Sequence, residues 1–191
     1  MITELLIENC MNNDRKAQRA LYEWCFPILI RVCKRYSINE EDAIDTMNTC
    51  FLKILKNLHT INDINTLPGW VKRIAVNTSI DAFRKNKSYQ ERTKFTIDTE
   101  YSAVMQSFYV NSQAESQLDR NKIFELINIL PDVTKQVLNL FAIDGYSHKE
   151  IADMLTISEE ASRWHLFKAR KILTEKIQHL NMIKMNQNES K

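Results

Sequence analysis

Apolar residues recur every three or four positions through most of residues 1–88, which is the spacing of one face of an α-helix. This spacing predicts helices over about residues 2–11, 14–36, 39–58 and 68–86. Asn39 can cap the third helix, and Pro68 suits the first turn of the fourth. Pro27 lies inside the second helix, where its ring removes a backbone donor, so we expect a kink or a break there.

The helical period returns after residue 118. It predicts helices over about residues 119–130, 131–144 and 148–155, and a last helix that begins at residue 159. Gly145 ends the second of these helices, as a glycine just past a helix commonly does. Ser147 and Glu150 have the spacing of a capping box at the next helix start, and Ser158 can cap the last helix.

The stretch between these two helical zones, residues 89–118, is polar with scattered aromatic residues and has no clear helical period. A patternless segment of this length is unusual inside a compact domain, so it predicts a linker. The chain has only two glycines and three prolines, which is few for a turn-rich β protein. We therefore predict an all-α fold with two small helical domains, residues 1–88 and 119–191, joined by a flexible linker.

Composition excludes several function classes. Gly69 and Gly145 are too far apart to form a GxGxxG loop or a P-loop. No apolar run approaches the roughly 20 residues that span a bilayer. The N-terminal sequence has no basic region of the signal-peptide type, so we expect a cytoplasmic protein. No spacing of a metal cluster or a catalytic triad is present, so we expect a protein that is not an enzyme and uses no cofactor.

The chain has four cysteines, Cys10, Cys25, Cys33 and Cys50. They allow two interpretations. They could form a metal or redox site, or they could be small buried residues in a reducing compartment. None belongs to a CxxC pair, and each falls in a predicted helix among apolar residues. The pattern favours the second interpretation.

The fourth helix has a basic side opposite its predicted core side. The predicted core positions are Val71, Ile74, Ala75, Thr78 and Ala82. The opposite side carries Arg73, Asn77, Arg84 and Lys87, with Ile80 among them and Trp70 at the flank. Cationic side chains can neutralise phosphates, and an aromatic ring can stack on an unpaired base, so this side suits nucleic acid. A solvated basic face with Trp70 in the core is the alternative.

The third helix has a polar edge of different character, formed by Asp42, Asp45 and Asn48. Acidic groups repel DNA, so this edge is predicted to meet a protein. Alternatively, the acidic side chains serve only to complement the helix dipole. The net charge of the whole chain, +2, does not decide between partners, and local patches must do so.

The last two helices have the pattern of a helix-turn-helix. The inner stripe of the last helix is predicted to be Leu166, Ala169, Leu173 and Ile177. The positions that face away are Ala161, Trp164, Lys168 and Lys171, with Arg163 and Phe167 at the edge. Thr156 occupies the turn position where glycine is common, which is a departure from the motif. A plain helical hairpin with a solvated basic face is the alternative.

Several segments together resemble bacterial sigma factors of the extracytoplasmic-function group. The third helix is similar to the region 2 pattern D-A-x-D-x-x-Q-x-x-F, with Asn48 in place of glutamine. The fourth helix matches W-x-x-R-I-A-x-N-x-x-x-D-x-x-R at Trp70, Arg73, Ile74, Ala75, Asn77, Asp81 and Arg84. The second half resembles region 4 in its L-P, G-Y-S and E-I-A segments. Its last helix departs most, because Ala161 and Trp164 replace small polar residues.

The resemblance implies a subunit that gives core RNA polymerase its promoter specificity. It implies polymerase docking through Asp42, Asp45 and Asn48, and recognition of the −10 element through Trp70, Arg73, Asn77, Arg84 and Lys87. It implies recognition of the −35 element through Arg163, Trp164, Phe167, Lys168 and Lys171. Family members are often held by an anti-sigma factor, so such a partner is an open expectation. The sequence also allows a stand-alone helix-turn-helix regulator or a helical protein-interaction bundle.

Overall fold

The structure is a computed structural model that describes residues 2–85 and 120–188. The chain divides into two compact units, Met1–Glu91 and Arg92–Lys191. The predicted linker, residues 89–118, and the predicted site residue Lys87 lie outside the described residues. Every regular element in the described ranges is helical, so the all-α prediction is confirmed there.

The first unit contains four α-helices, α1 (Glu4–Met11), α2 (Arg15–Tyr36), α3 (Glu40–Asn57) and α4 (Leu67–Lys85). Two 3₁₀ turns, Leu58–Thr60 and Ile64–Thr66, connect α3 to α4. The predicted cap of α3 is present, because Asn39 Oδ1 accepts a hydrogen bond of 2.8 Å from the Asp42 backbone N–H. Helix α2 continues through Pro27, so this proline does not end the helix.

Helix α2 packs against α1, α3 and α4, and α3 also packs against α4. The largest side chains in the resulting core include Leu21, Leu29, Ile54, Leu58, Leu67 and Val71. All four cysteines are buried in this unit and form no disulfide. Burial raises the pKa of Cys25 to about 12, which holds its thiol protonated. These cysteines are core residues, as the sequence favoured.

Two apolar positions of α4 differ from the predicted faces. Ile80 was expected on the basic side of α4 but is only 2% exposed. Ala82 was expected in the core but is exposed. The reason for Ile80 is that α4 contacts both α2 and α3, and a helix packed on two sides buries a wider arc than one apolar stripe.

The second unit contains α5 (Arg120–Asn128), α6 (Asp132–Leu138), α7 (His148–Leu155) and α8 (Glu159–Asn188). The chain continues from α6 into a π-helical turn, Asn139–Ile143, that the sequence did not predict. Gly145 has φ +81°, which is the left-handed backbone expected of a glycine that ends a helix. The capping box formed by Ser147 and Glu150 is present, and Ser158 Oγ accepts from the Ala161 N–H at 3.0 Å.

Helices α7 and α8 form the helix-turn-helix, and α8 also packs against α6. Thr156 forms the turn with φ 57° and ψ 47°, and the N–H groups of Thr156 and Ile157 both donate to the Ala152 carbonyl. A β-branched residue with this left-handed backbone is uncommon, so the turn carries local strain. Of the predicted inner stripe of α8, Leu166 and Ala169 are buried, while the two positions further along are half-buried.

Candidate functional site

Part of the predicted basic side of α4 forms one exposed surface. Arg73, Asn77 and Arg84 are all exposed, and their spacing places them on one face of the helix. Trp70 lies one turn before Arg73 on the same face and is half-buried, so part of its ring is accessible. This surface offers two guanidinium groups, an amide and an aromatic ring, which together can contact phosphates and an unstacked base.

An ion pair beside this face was not predicted. Nζ of Lys53 on α3 lies 3.5 Å from Oδ2 of Asp81 on α4. The pair offsets the charge of the only acidic residue in the second half of α4. An exposed pair contributes little to stability, so its effect is on the local charge rather than on folding. Sequence spacing could not reveal it, because the two residues lie on different helices.

The polar edge of α3 is exposed. Asp42, Asp45 and Asn48 are all accessible, and the spacing of Asp45 and Asn48 continues to Leu52. Leu52 is 67% exposed, although leucine usually avoids water. Carboxylates beside an exposed leucine suit a protein partner better than DNA. The sequence contained a signal for Leu52, since it follows Asp45 by seven residues and so shares its face.

The five residues of α8 that were predicted to bind DNA lie on its outer half, opposite the buried Ser162, Leu166 and Ala169. These five residues are Arg163, Trp164, Phe167, Lys168 and Lys171. Arg163 is ion-paired with Glu159 one turn earlier. Nζ of Lys168 lies 4.5 Å from the centre of the Trp164 ring, a cation–π contact. Lys171 is exposed, while Trp164, Phe167 and Lys168 are half-buried.

Two histidine–hydroxyl pairs fasten α8 to its neighbours. Nδ1 of His165 lies 3.0 Å from Oγ1 of Thr134 on α6. Nδ1 of His148 on α7 lies 2.9 Å from Oγ of Ser162, which is fully buried. Helical spacing gave no signal for these pairs, because their partners lie on different helices.

Both histidines are held in their neutral form. Burial, aided by the Lys168 charge, lowers the pKa of His165 to about 4. The pKa of His148 is also lowered, first by burial and then by the Arg163 charge. Each neutral ring either accepts a hydrogen bond from its hydroxyl partner or donates one to it. Neither ring brings a charge into the unit. These contacts therefore hold the outer face of α8 in a fixed orientation at neutral pH.

The described residues place no cluster of three or more potential metal ligands together. None of the described helices is both long and apolar enough to span a membrane.

Comparison with known families matches each unit to one region. Residues 21–89 match the family model described as Sigma-70 region 2. Residues 120–173 match the model described as Sigma-70, region 4. Together the two matches cover more than half of the chain, and they contain the α3, α4 and α8 surfaces.

Individual relatives are similar at low identity over nearly full length. The ECF RNA polymerase sigma-E factor of Haemophilus influenzae is 23% identical over 185 residues, with 93% of this chain and 96% of the relative covered. The protein of the same description from Escherichia coli K12 is 24% identical over 191 residues, with 93% and 95% covered. Among solved structures, the sigma factor RpoE in complex with the anti-sigma factor NepR from Bartonella quintana has 17% identity and a TM-score of 0.49, covering 84% of this chain and 96% of that one.

Proposed function

Since the chain belongs to the extracytoplasmic-function group of the sigma-70 family, we propose that it is a promoter-specificity subunit of RNA polymerase. In this role it binds the core enzyme and directs initiation at promoters with −35 and −10 elements. The observation that carries the proposal is that a region 2 match and a region 4 match occur in this order, each with an exposed surface of suitable chemistry. The role is non-enzymatic and requires no cofactor, and its location is the cytoplasm.

The −10 element meets α4 in this proposal. The guanidinium groups of Arg73 and Arg84 contact phosphates, and Asn77 hydrogen-bonds a base edge or a phosphate. Trp70 stacks on an unpaired base, which is worth roughly 1–3 kcal/mol and offsets part of the cost of opening the duplex. Lys87, which follows α4 in the sequence, supplies a further positive charge that can neutralise a phosphate. Residues 1–88 therefore form the unit that docks on polymerase and melts the promoter.

Core polymerase meets α3. Asp42, Asp45 and Asn48 offer hydrogen-bond acceptors and negative charge, and the exposed Leu52 adds an apolar anchor beside them. Charges at the rim of an interface raise the rate at which two proteins associate, whereas a buried apolar centre supplies affinity. The acidic side chains and Leu52 therefore serve different steps of binding. An anti-sigma partner that covers these surfaces stays an expectation from the family.

The −35 element meets the outer face of α8, in the way that the second helix of a helix-turn-helix enters the major groove. Residues 119–191 form this unit, and residues 89–118 connect it to the first. Lys168 and Lys171 are suited to phosphates, whereas Trp164 and Phe167 present apolar surface that can contact bases. Arg163 is ion-paired with Glu159, so DNA has to compete with this carboxylate to bind the guanidinium.

The decisive experiment is transcription with purified core RNA polymerase on fragmented genomic DNA, with and without this chain, followed by mapping of transcript starts. Discrete new starts that share a −35/−10 pair are expected. Specific DNA binding by the chain alone, with no new starts, would instead support a stand-alone regulator.

Two variants make the docking assignment testable. Asp45→Arg is expected to lower affinity for the core enzyme at least tenfold, because a charge of the wrong sign is placed at the proposed interface. Glu8→Arg, which reverses an exposed charge on α1, is the matched control and should bind normally. Normal binding of the Asp45→Arg variant would refute docking through α3.

A further inference from the structure

Trp164 is held in place from two sides. The Lys168 ammonium lies over its ring at 4.5 Å, and the His165 ring meets it at 4.9 Å and 77°. His165 is itself hydrogen-bonded to Thr134 on α6. A cation over an aromatic face and an edge-on ring each favour one ring orientation. The indole is therefore pre-organised, and binding does not have to fix its rotamer.

The Trp164 side chain and the Lys168 ammonium over its ring both present hydrogen-bond donors. An indole N–H and an ammonium are donors only. Two carboxylates stand in the first turn of the same helix, but Glu159 is ion-paired on α8. Glu160 accepts hydrogen bonds from the N-terminal end of the helix and from the serine that caps it. Both carboxylates are thus engaged with groups of this chain, and the groups at the ring itself are the indole N–H and the Lys168 ammonium.

That chemistry distinguishes base pairs in the major groove. Thymine presents an O4 acceptor and an apolar C5 methyl group there, whereas cytosine presents an N4 donor that requires an acceptor. An apolar ring beside donors complements thymine and leaves the cytosine donor unpaired. Stacking on a base is a poorer use of the ring, because Lys168 already covers one face and duplex bases are stacked on each other.

We propose that Trp164 determines promoter specificity by packing against the C5 methyl group of one thymine in the −35 element. Lys168 and His165 are positioning residues that hold the indole for this contact. The inference rests on the proposed function, since it requires α8 to lie in the −35 major groove. It gives a reason for a bulky apolar residue where sigma factors of this group commonly carry a small polar one.

The test removes single methyl groups from the promoter. Full-length protein and core polymerase are assembled, and promoter use is measured in competition between fragments that carry thymine or deoxyuridine at each −35 position. At one position, deoxyuridine is expected to lower promoter use about fourfold, the factor for one methyl group that is no longer buried. The same exchange is expected to have no effect with Trp164→Ser. Replacing cytosine with 5-methylcytosine there should raise promoter use only when Trp164 is present.

Two control variants keep the result interpretable. Lys171→Ser changes another exposed residue of the outer α8 face and should preserve the deoxyuridine effect while weakening binding in general. Trp164→Phe keeps an aromatic ring and should preserve part of the effect, which guards against a folding defect in the serine variant. Matching thermal unfolding of all variants completes the control.

Three results would count against these ideas in different ways. A deoxyuridine effect that is unchanged in Trp164→Ser would overturn the assignment to Trp164. Dependence on the −35 sequence without any methyl-sensitive thymine would overturn the inference but leave the proposed function intact. Initiation that is indifferent to the −35 sequence would overturn both the inference and the −35 role of α8.

Discussion

Lowering the pH should selectively destabilise the second unit through His165. Burial holds the pKa of this ring at about 4 in the folded chain, against about 6.5 when it is unfolded. Because the folded pKa is the lower one, the unfolded state binds the proton more tightly. The stabilisation is thus present above about pH 6.5 and is lost as the pH falls toward about 4.

The size of the effect follows from the two pKa values. Their difference of about 2.5 corresponds to about 3 kcal/mol at most, and about 2 kcal/mol of this should disappear between pH 7 and pH 5. That loss is a large part of the stability of a small domain. It would appear as increased unfolding of α8 and loss of −35 recognition under acid conditions.

This loss of stability can be measured by urea unfolding, with tryptophan fluorescence as the signal. Trp164 is the only tryptophan after residue 91, so a chain with Trp24→Phe and Trp70→Phe reports on the second unit alone. In this background, His165→Gln should lose less stability between pH 7 and pH 5 than the parent, by about 2 kcal/mol. His179→Gln, at an exposed position of α8, is the matched control. Equal losses in the parent and in His165→Gln would refute the role given to burial of this ring.

Three further predictions concern other parts of the chain. Thr156→Gly should stabilise the second unit by about 0.5–1 kcal/mol, because glycine adopts the left-handed backbone without strain; Thr156→Ala, measured by the same urea unfolding, should not. Lys168→Ala should lower the slope of log affinity against log salt for promoter DNA by about one if the ammonium meets a phosphate; an unchanged slope would assign it to the bases. Cys25, whose pKa burial raises to about 12, should react with a thiol reagent only after unfolding; rapid labelling of the folded chain would contradict its place in the core.

Local chemistry explains which features the sequence could predict. Helix α7 has the predicted bounds, because its start depends on Ser147 and Glu150, which interact within one turn. Gly145 likewise ends its helix through its own backbone freedom. The contact between Trp164 and Lys168 also follows from helical spacing, since residues four apart are neighbours on a helix.

Features that depend on packing between helices could not be predicted from the sequence. Ile80 is buried because α4 contacts two helices. The periodicity within α4 does not indicate that a second helix packs against it. The pair of His165 with Thr134 joins residues 31 positions apart, and that of His148 with Ser162 joins residues 14 apart. Such pairs depend on how α6, α7 and α8 are arranged, which a single sequence does not specify.

The length of α8 has a practical consequence for following this protein on DNA. The region 4 match ends at residue 173, but the helix continues to Asn188. With a rise of 1.5 Å per residue, its end lies roughly 25 Å from Lys171 along the helix axis. A fluorophore attached near residue 188 would be joined to the outer α8 face by continuous helix and still stand clear of it. Energy transfer from that position to a dye on the promoter would report when α8 engages the groove, without altering a residue proposed to read it.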